Sequence, residues 1–302
     1  LVDNEIIWNI NTYDDVTSIM TNKAEIESLI YLLDDPDPEV QNGVQNRFQE
    51  LGERAVPLLD QYKSESVKDS ERQNINEIIH NITYGSLLED FTGLIDSGVS
   101  GRRSLEEALF ILARFGNPTL RASEYRDKLD DLARQIGSDI AYTPSLNEKM
   151  RILLHFVFRE LRFRGDSKNY HDPENAFLDR VIDRRKGLPI MLSVVVMSIA
   201  RRLNLPFYGA NMPIHFMLVY QTHNQNILVD PFDGGTIVTY DQCYYFLKKN
   251  GIEPRAEHLE RAKESEILAR CIRNLMHSYA KNHQEQKVAD LKELLALVET
   301  KR

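Results

Sequence analysis

Cysteine is nearly absent from this sequence. Cys243 and Cys271 are the only two in 302 residues. They form neither a CxxC pair nor a framework spacing, so a disulfide scaffold is excluded and free thiols in a reducing compartment are expected. Long apolar runs are lacking too. The longest, Leu188 to Ala200, is interrupted by Ser193 and Ser198. It is too short for a hydrocarbon layer ~30 Å thick, so no membrane insertion is expected. The first residues, Leu1-Val2-Asp3-Asn4-Glu5, are acidic and carry no apolar stretch, which argues against a secretory leader. Residue 1 is not Met, so a few residues ahead of Leu1 are expected to be missing. Positive charge is also in short supply, with 37 Lys and Arg against 46 Asp and Glu. That balance argues against broad phosphate-backbone binding, so no nucleic acid partner is expected. A soluble cytoplasmic protein fits these absences.

What is present is mostly helical patterning. A chain of 302 residues exceeds the usual single domain, and two or three units are expected. In the first, residues 1–84, Ile26, Leu29, Ile30 and Leu33 keep helical spacing up to Asp34-Asp35-Pro36-Asp37-Pro38. Proline suits a first turn and aspartate suits a helix N-terminus, so the next helix starts near Asp37, with Val40, Val44, Phe48 and Leu51 on one face. Gly52 ends it, and Ala55-Val56-Pro57 opens a third helix. This string resembles a HEAT repeat; one copy reads first as a packing element and second as a partner surface. Further amphipathic helices follow around Leu105–Ala113, Tyr125–Ile136 and Met150–Leu161. The segment FRGDSKNYHDPEN is turn-rich, and a helix is expected to begin near Asn175.

The period changes over Phe207 to Val238, after one more helix. A helix from Leu188 must bury Leu192, Val195, Val196 and Ile199; its length to Leu203 and the pair Arg201-Arg202 outweigh the strand preference of its three valines. Pro189 suits its first turn but cannot be a nucleophile, and Ser193 lies one turn deeper. Arg184, Arg185 and Lys186 precede the positive end of the helix dipole. Next, His215, Met217 and Val219 alternate with Phe216, Leu218 and Tyr220, and Asn226 to Asp230 reads as a partner strand across the turn Thr222-His223-Asn224-Gln225. A two- or four-residue loop would put His215 and Asp230 on one sheet face, opposite or diagonal, whereas a three-residue loop would separate them. Such an aspartate fixes the tautomer of its imidazole. The plainer reading is a histidine bonded within a sheet beside a turn-capping aspartate. Helices near 241–249, 264–281 and 285–299 close the chain, and the last two resemble a tetratricopeptide-type pair.

The run from Asn175 to Tyr220, followed by VDPFDGG and preceded by SLEEALFILARFGNP and FRGDSKNYHDPEN, resembles the SirB-type transglutaminase-like family over about residues 100 to 250. The resemblance implies an α+β, papain-like core over 85–258: a small antiparallel sheet on a central helix, with a tetratricopeptide-like hairpin at 259–302. It matches His215 and Asp230 to the superfamily's His and Asp, and places the superfamily's cysteine at or next to Pro189. The family characteristically lacks that cysteine, and so does this chain. The glycine usual before the histidine is Ile214 here, a larger side chain expected to narrow access to His215.

Without a nucleophile a His-Asp pair cannot form an acyl-enzyme. The leading expectation is therefore a non-catalytic module that binds a protein or peptide in a cleft formed by His215 and Asp230 with Pro189, Ser193, Asn175, Arg185 and Asn211. The alternative is a hydrolase or acyltransferase in which His215, as general base, activates water or Ser193. A third reading is a scaffold whose helical ends bind partners. No cofactor and no metal is expected.

Overall fold

The structure, a computed structural model, describes residues 24–98, 104–222 and 225–300. The acidic N-terminus and the His223-Asn224 tip of the expected turn lie outside these residues. The chain divides into two compact units between Ser86 and Leu87.

The first unit is helical. Helix α1 covers 24–31, followed by α2 (Pro38–Leu51), α3 (Val56–Glu65) and α4 (Asp69–Ser97), within which the division falls. Asp37 caps α2 as expected: its carboxylate accepts from the Glu39 N–H at 2.9 Å, and Pro38 fills the first helical position. Ile26, Val44, Phe48, Leu59, Ile75 and Ile79 form its core.

The second unit is α+β. Helices α5 (Ser104–Ala113), α6 (Ala122–Tyr142), α7 (Leu146–His155), α8 (Leu178–Arg184) and α9 (Pro189–Arg202) precede a four-stranded antiparallel sheet. Its strands β3 (Phe207–Ala210), β4 (Met217–Gln221), β5 (Asn226–Asp230) and β6 (Thr236–Val238) lie side by side in chain order. Two short strands, β1 (Arg164–Gly165) and β2 (Lys186–Gly187), pair in parallel just ahead of α9. Helices α10 (Tyr240–Lys249), α11 (Glu264–Lys281) and α12 (Glu285–Thr300) complete the unit.

Helix α9 is buried at every position from Pro189 to Ala200, as a helix apolar on all sides must be. Its start is held by a bond from the Leu188 N–H to the Asn175 carbonyl, 2.9 Å. Its end is held by Arg202, which donates to both oxygens of buried Glu106 at 2.7 and 3.0 Å and also to Asp130. The sheet's two faces are occupied differently. Tyr208, Ala210, Met217, Val219 and Leu228 pack with Cys243 and Leu247 of α10. Phe207, Leu218, Tyr220 and Val229 fill the other face, where Tyr220 donates its hydroxyl proton to the Leu146 carbonyl of α7; α9 lies along β3 and β4.

Three local readings change. A helix does not begin at Asn175: Pro173–Asn175 is a single 3₁₀ turn capped by Asp172, Ala176 leaves helical geometry, and α8 starts at Leu178. The helix through Met150 passes at Phe156 into a π-helical segment, Phe156–Glu160, a variant frequent near functional sites. His215 also stands outside the strand, at a bend two residues before β4.

Removing one partner of a buried pair strands the other charge. Glu106→Ala should lower the unfolding free energy by about 3–5 kcal/mol, whereas Glu50→Ala, which breaks an exposed pair with Arg47, should change it by less than ~1 kcal/mol. Urea titration followed by circular dichroism separates the two.

Candidate functional site

The antiparallel register decides how His215 and Asp230 meet. Leu218 pairs with Val229 and Gln221 with Asn226, while Thr222 donates its N–H to the Gln225 carbonyl at 2.9 Å. This is the register of a two-residue connection. Asp230 therefore shares a face with Met217, and His215, two residues earlier, lies diagonal to it on that face. His215 Nε2 and Asp230 Oδ1 are 3.0 Å apart.

Asp230 Oδ1 also accepts the backbone N–H of Phe232 at 2.9 Å and of Asp233 at 3.2 Å. Burial pushes the Asp230 carboxyl up, but the hydrogen bond and charge of His215 and these two N–H groups outweigh it and hold the group below its ordinary value. An ionised carboxylate only accepts, so Nε2 carries the proton of this bond and Nδ1 remains for other contacts. The turn that supplies the N–H groups requires glycine at Gly235, where φ is +78° and an added Cβ would strike the Phe158 ring of the π-helical segment at 2.4 Å.

The approach to His215 is also constrained. Arg270 of α11 donates to the Asn211 side chain and, at 2.7 Å, to the Met212 carbonyl, and its guanidinium lies 5.6 Å from the Phe216 ring centre. These contacts anchor the segment that delivers the imidazole. Within that segment Ile214 adopts φ +58°, a left-handed conformation that costs a non-glycine residue about 1–2 kcal/mol. The glycine expected at this position thus has a backbone reason. Ile214 is 54% exposed, so its side chain points outward, whereas narrowed access to His215 was expected.

His215 and Asp230 open onto a pocket of about 130 Å³ lined also by Met212, Met217, Val238, Gln242, Cys243 and Phe246. It faces α10. The other five candidate residues lie elsewhere. Pro189 and Ser193 are buried in α9, and Ser193 Oγ has no hydrogen-bond partner. Asn175 is buried, its amide donating to the Asn169 carbonyl at 2.7 Å while Oδ1 is unpaired. Arg185 caps α8 at φ +56° and donates to the Leu161 carbonyl. Asn211 holds Arg270. The Phe232 ring sits 6.5 Å from His215 and 5.8 Å from Tyr170, against Gly165 of β1. It therefore fills the space between the imidazole and the strand pair that leads into α9.

Cys243 is, of the lining residues that reading the sequence did not assign to the site, the one with a thiol. Its signal was its place three residues before Phe246, which puts both on one side of α10. Burial, then the Asp230 charge, pushes its thiol up to about 11, so it is a neutral thiol at pH 7 and a weak nucleophile. Among the described residues no group of three or more His, Cys, Asp or Glu side chains could hold a metal.

Two outcomes test this geometry. Ile214→Gly should raise stability by about 0.5–1 kcal/mol, relief of the left-handed strain exceeding the added unfolded-state entropy; thermal unfolding checks it. The folded-state pKa of Asp230 lies below its unfolded value of 3.8, so its stabilising contribution is complete above that value and lost as pH falls through the folded one. Between pH 7 and pH 2, the difference in unfolding free energy between the parent and Asp230→Asn should shrink, by urea titration at each pH.

A UPF0162 protein of Xylella fastidiosa (strain 9a5c) is 28% identical over 191 residues, covering 61% of this chain and 68% of that protein. A UPF0162 protein of Pseudomonas aeruginosa is 35% identical over 179 residues, 58% of this chain and 65% of that protein. Human F-box only protein 21 is 29% identical over 101 residues, 31% of this chain and 16% of that protein. The chain thus spans about two thirds of the length of the bacterial relatives. No solved structure matches it. Residues 123–273, half of the chain, match the transglutaminase-like superfamily and include α9, the sheet, His215, Asp230 and Cys243. The chain belongs to the transglutaminase-like superfamily.

Proposed function

We propose that this protein is a non-catalytic member of its superfamily, of SirB type, that binds a protein or peptide partner in the pocket of His215 and Asp230. The carrying observation is the state of the possible nucleophiles. The resemblance puts the superfamily's cysteine at or next to Pro189, where this chain has none, and Ser193 Oγ is sealed in the core without a bond to His215. A His-Asp pair without a partner nucleophile still offers a fixed donor, a fixed charge and apolar walls, which is the composition of a recognition pocket. The tetratricopeptide-like pair α11–α12 serves in this reading as a support, in a cytoplasmic protein that also carries a HEAT-like first unit. Among the described residues no helix is long and apolar enough to cross a membrane.

A second reading has one observation in its favour, because Cys243 lines the same pocket. In it, His215 acts as general base toward that thiol in a hydrolase or acyltransferase. The neutral state of the thiol weighs against it.

A screen of amide hydrolysis and amine transfer should show no turnover above the level of Cys243→Ala and His215→Ala. A partner that co-purifies with the protein should bind at least tenfold more weakly to His215→Ala. Turnover abolished by either substitution would establish the second reading. Binding that survives both His215→Ala and Asp230→Ala would move the interaction site away from this pocket.

A further inference from the structure

The two edges of the sheet are treated differently. Along β3 the edge is covered, since Ala262 donates its N–H to the Gly209 carbonyl at 2.9 Å and Ala210 bridges to Arg261. Strand β6 pairs only with β5 among the described residues. Proteins guard such edges with lysine, proline or a covering element. Here the strand is Thr236-Ile237-Val238, and Ile237 is 49% exposed.

Apolar surface collects around this edge. Tyr240, which follows β6, and Phe246, which lines the pocket, are each 39% exposed. Val238 of β6 is itself a pocket wall, so a chain laid along β6 would pass over the opening. Its alternate side chains would point toward the pocket face, as those of Thr236 and Val238 do.

Charge selects among the chains that could lie there. From Asn226 to Leu247 the sequence holds Asp230, Asp233 and Asp241 and no lysine or arginine; Arg159 comes near the turn at Gly234, and Lys248 and Lys249 follow at the far end of α10. All three hydrogen bonds to the Asp230 carboxylate reach Oδ1, leaving Oδ2 without one in a residue that lines the pocket. Asp233 and Asp241 are exposed. A second copy of this chain would bring the same carboxylates against their like, which is unfavourable across a strand pair.

We propose that β6 receives an extended peptide from a different protein as a fifth strand of the sheet. An aliphatic or aromatic side chain would enter the pocket opposite Val238, and a lysine or arginine two residues away would reach Asp230 Oδ2 and Asp233. Main-chain bonds to the open edge supply affinity, and the alternate side chains supply selection. The inference rests on the binding role proposed above and adds the mode and the ligand chemistry.

The test uses fluorescein-labelled synthetic nonapeptides whose alternate positions carry Leu, Phe or Met and Lys or Arg. Matched sets replace the basic residues by Glu or N-methylate every second backbone nitrogen, in either register. The full chain should bind the basic set in fluorescence polarisation. Affinity should fall at least tenfold with the Glu set, with one N-methylated register, and with Ile237→Lys or Phe246→Asp. Unchanged circular dichroism would establish that these two surface variants fold. No binding of the basic set, or equal binding of the Glu set, overturns the proposal. Binding lost in His215→Ala but insensitive to N-methylation and to Ile237→Lys also overturns it, while leaving the pocket as a binding site. Self-association in sedimentation velocity that Ile237→Lys abolishes would assign the edge to a second copy and overturn it as well.

Discussion

The second unit is arranged around a helix that offers no face to water. Because α9 is buried from Pro189 to Ala200, each of its sides needs a partner element. Its ends also need polar partners, because backbone and side-chain polar groups inside a protein are costly when left alone. The Asn175 carbonyl at the start and the Glu106 and Asp130 carboxylates at Arg202 meet that need. The sheet is one of the covers, and covering α9 uses up one of its faces. The groups on the second face are then available to α10 and to anything that enters between them. The location of the His215–Asp230 pocket is a consequence of that division.

Much of this could be read from the sequence where punctuation is local. Asp37 and Pro38 announce α2, Gly52 ends it, and the helix expected near 264–281 is α11. Strand parity left the meeting of His215 and Asp230 conditional on the length of the connection, and the register that the structure shows satisfies that condition. Strand β3 was not apparent as a strand because Phe207–Ala210 is buried at all four positions, which erases alternation. Strand β6 is three residues long, too short for a period. The face on which the pair sits was hidden for a different reason. Parity says which residues share a face but not which helix covers it, and that depends on contacts between distant segments. For the same cause Pro189, Ser193 and Asn175, close to the site in the implied arrangement, lie in the core. Cys243, which reads as one apolar residue of an amphipathic helix, lines the pocket.

The electrostatics of the pocket come from one carboxylate acting on two neighbours. Asp230 draws the proton of His215 Nε2 toward itself, and the same negative charge, added to burial, keeps the Cys243 thiol protonated. In enzymes that use a thiolate the arrangement is reversed, with the positive end of a helix or an imidazolium favouring the anion. The pocket thus combines apolar walls, a fixed acceptor and a neutral thiol, a set that suits holding a group in place.

The two oxygens of Asp230 have separate duties. Oδ1 gathers the imidazole and two backbone N–H groups, so the turn depends on it, while Oδ2 meets none of them. An amide can replace such a carboxylate atom for atom, its oxygen keeping the turn and its nitrogen presenting two donors where an acceptor had been. A single substitution can therefore turn the group this side chain presents from acceptor to donor, with the scaffold that positions it left in place. The support of the turn and the chemistry offered to the pocket thus belong to one side chain but to different atoms of it, so the second can change while the first is kept.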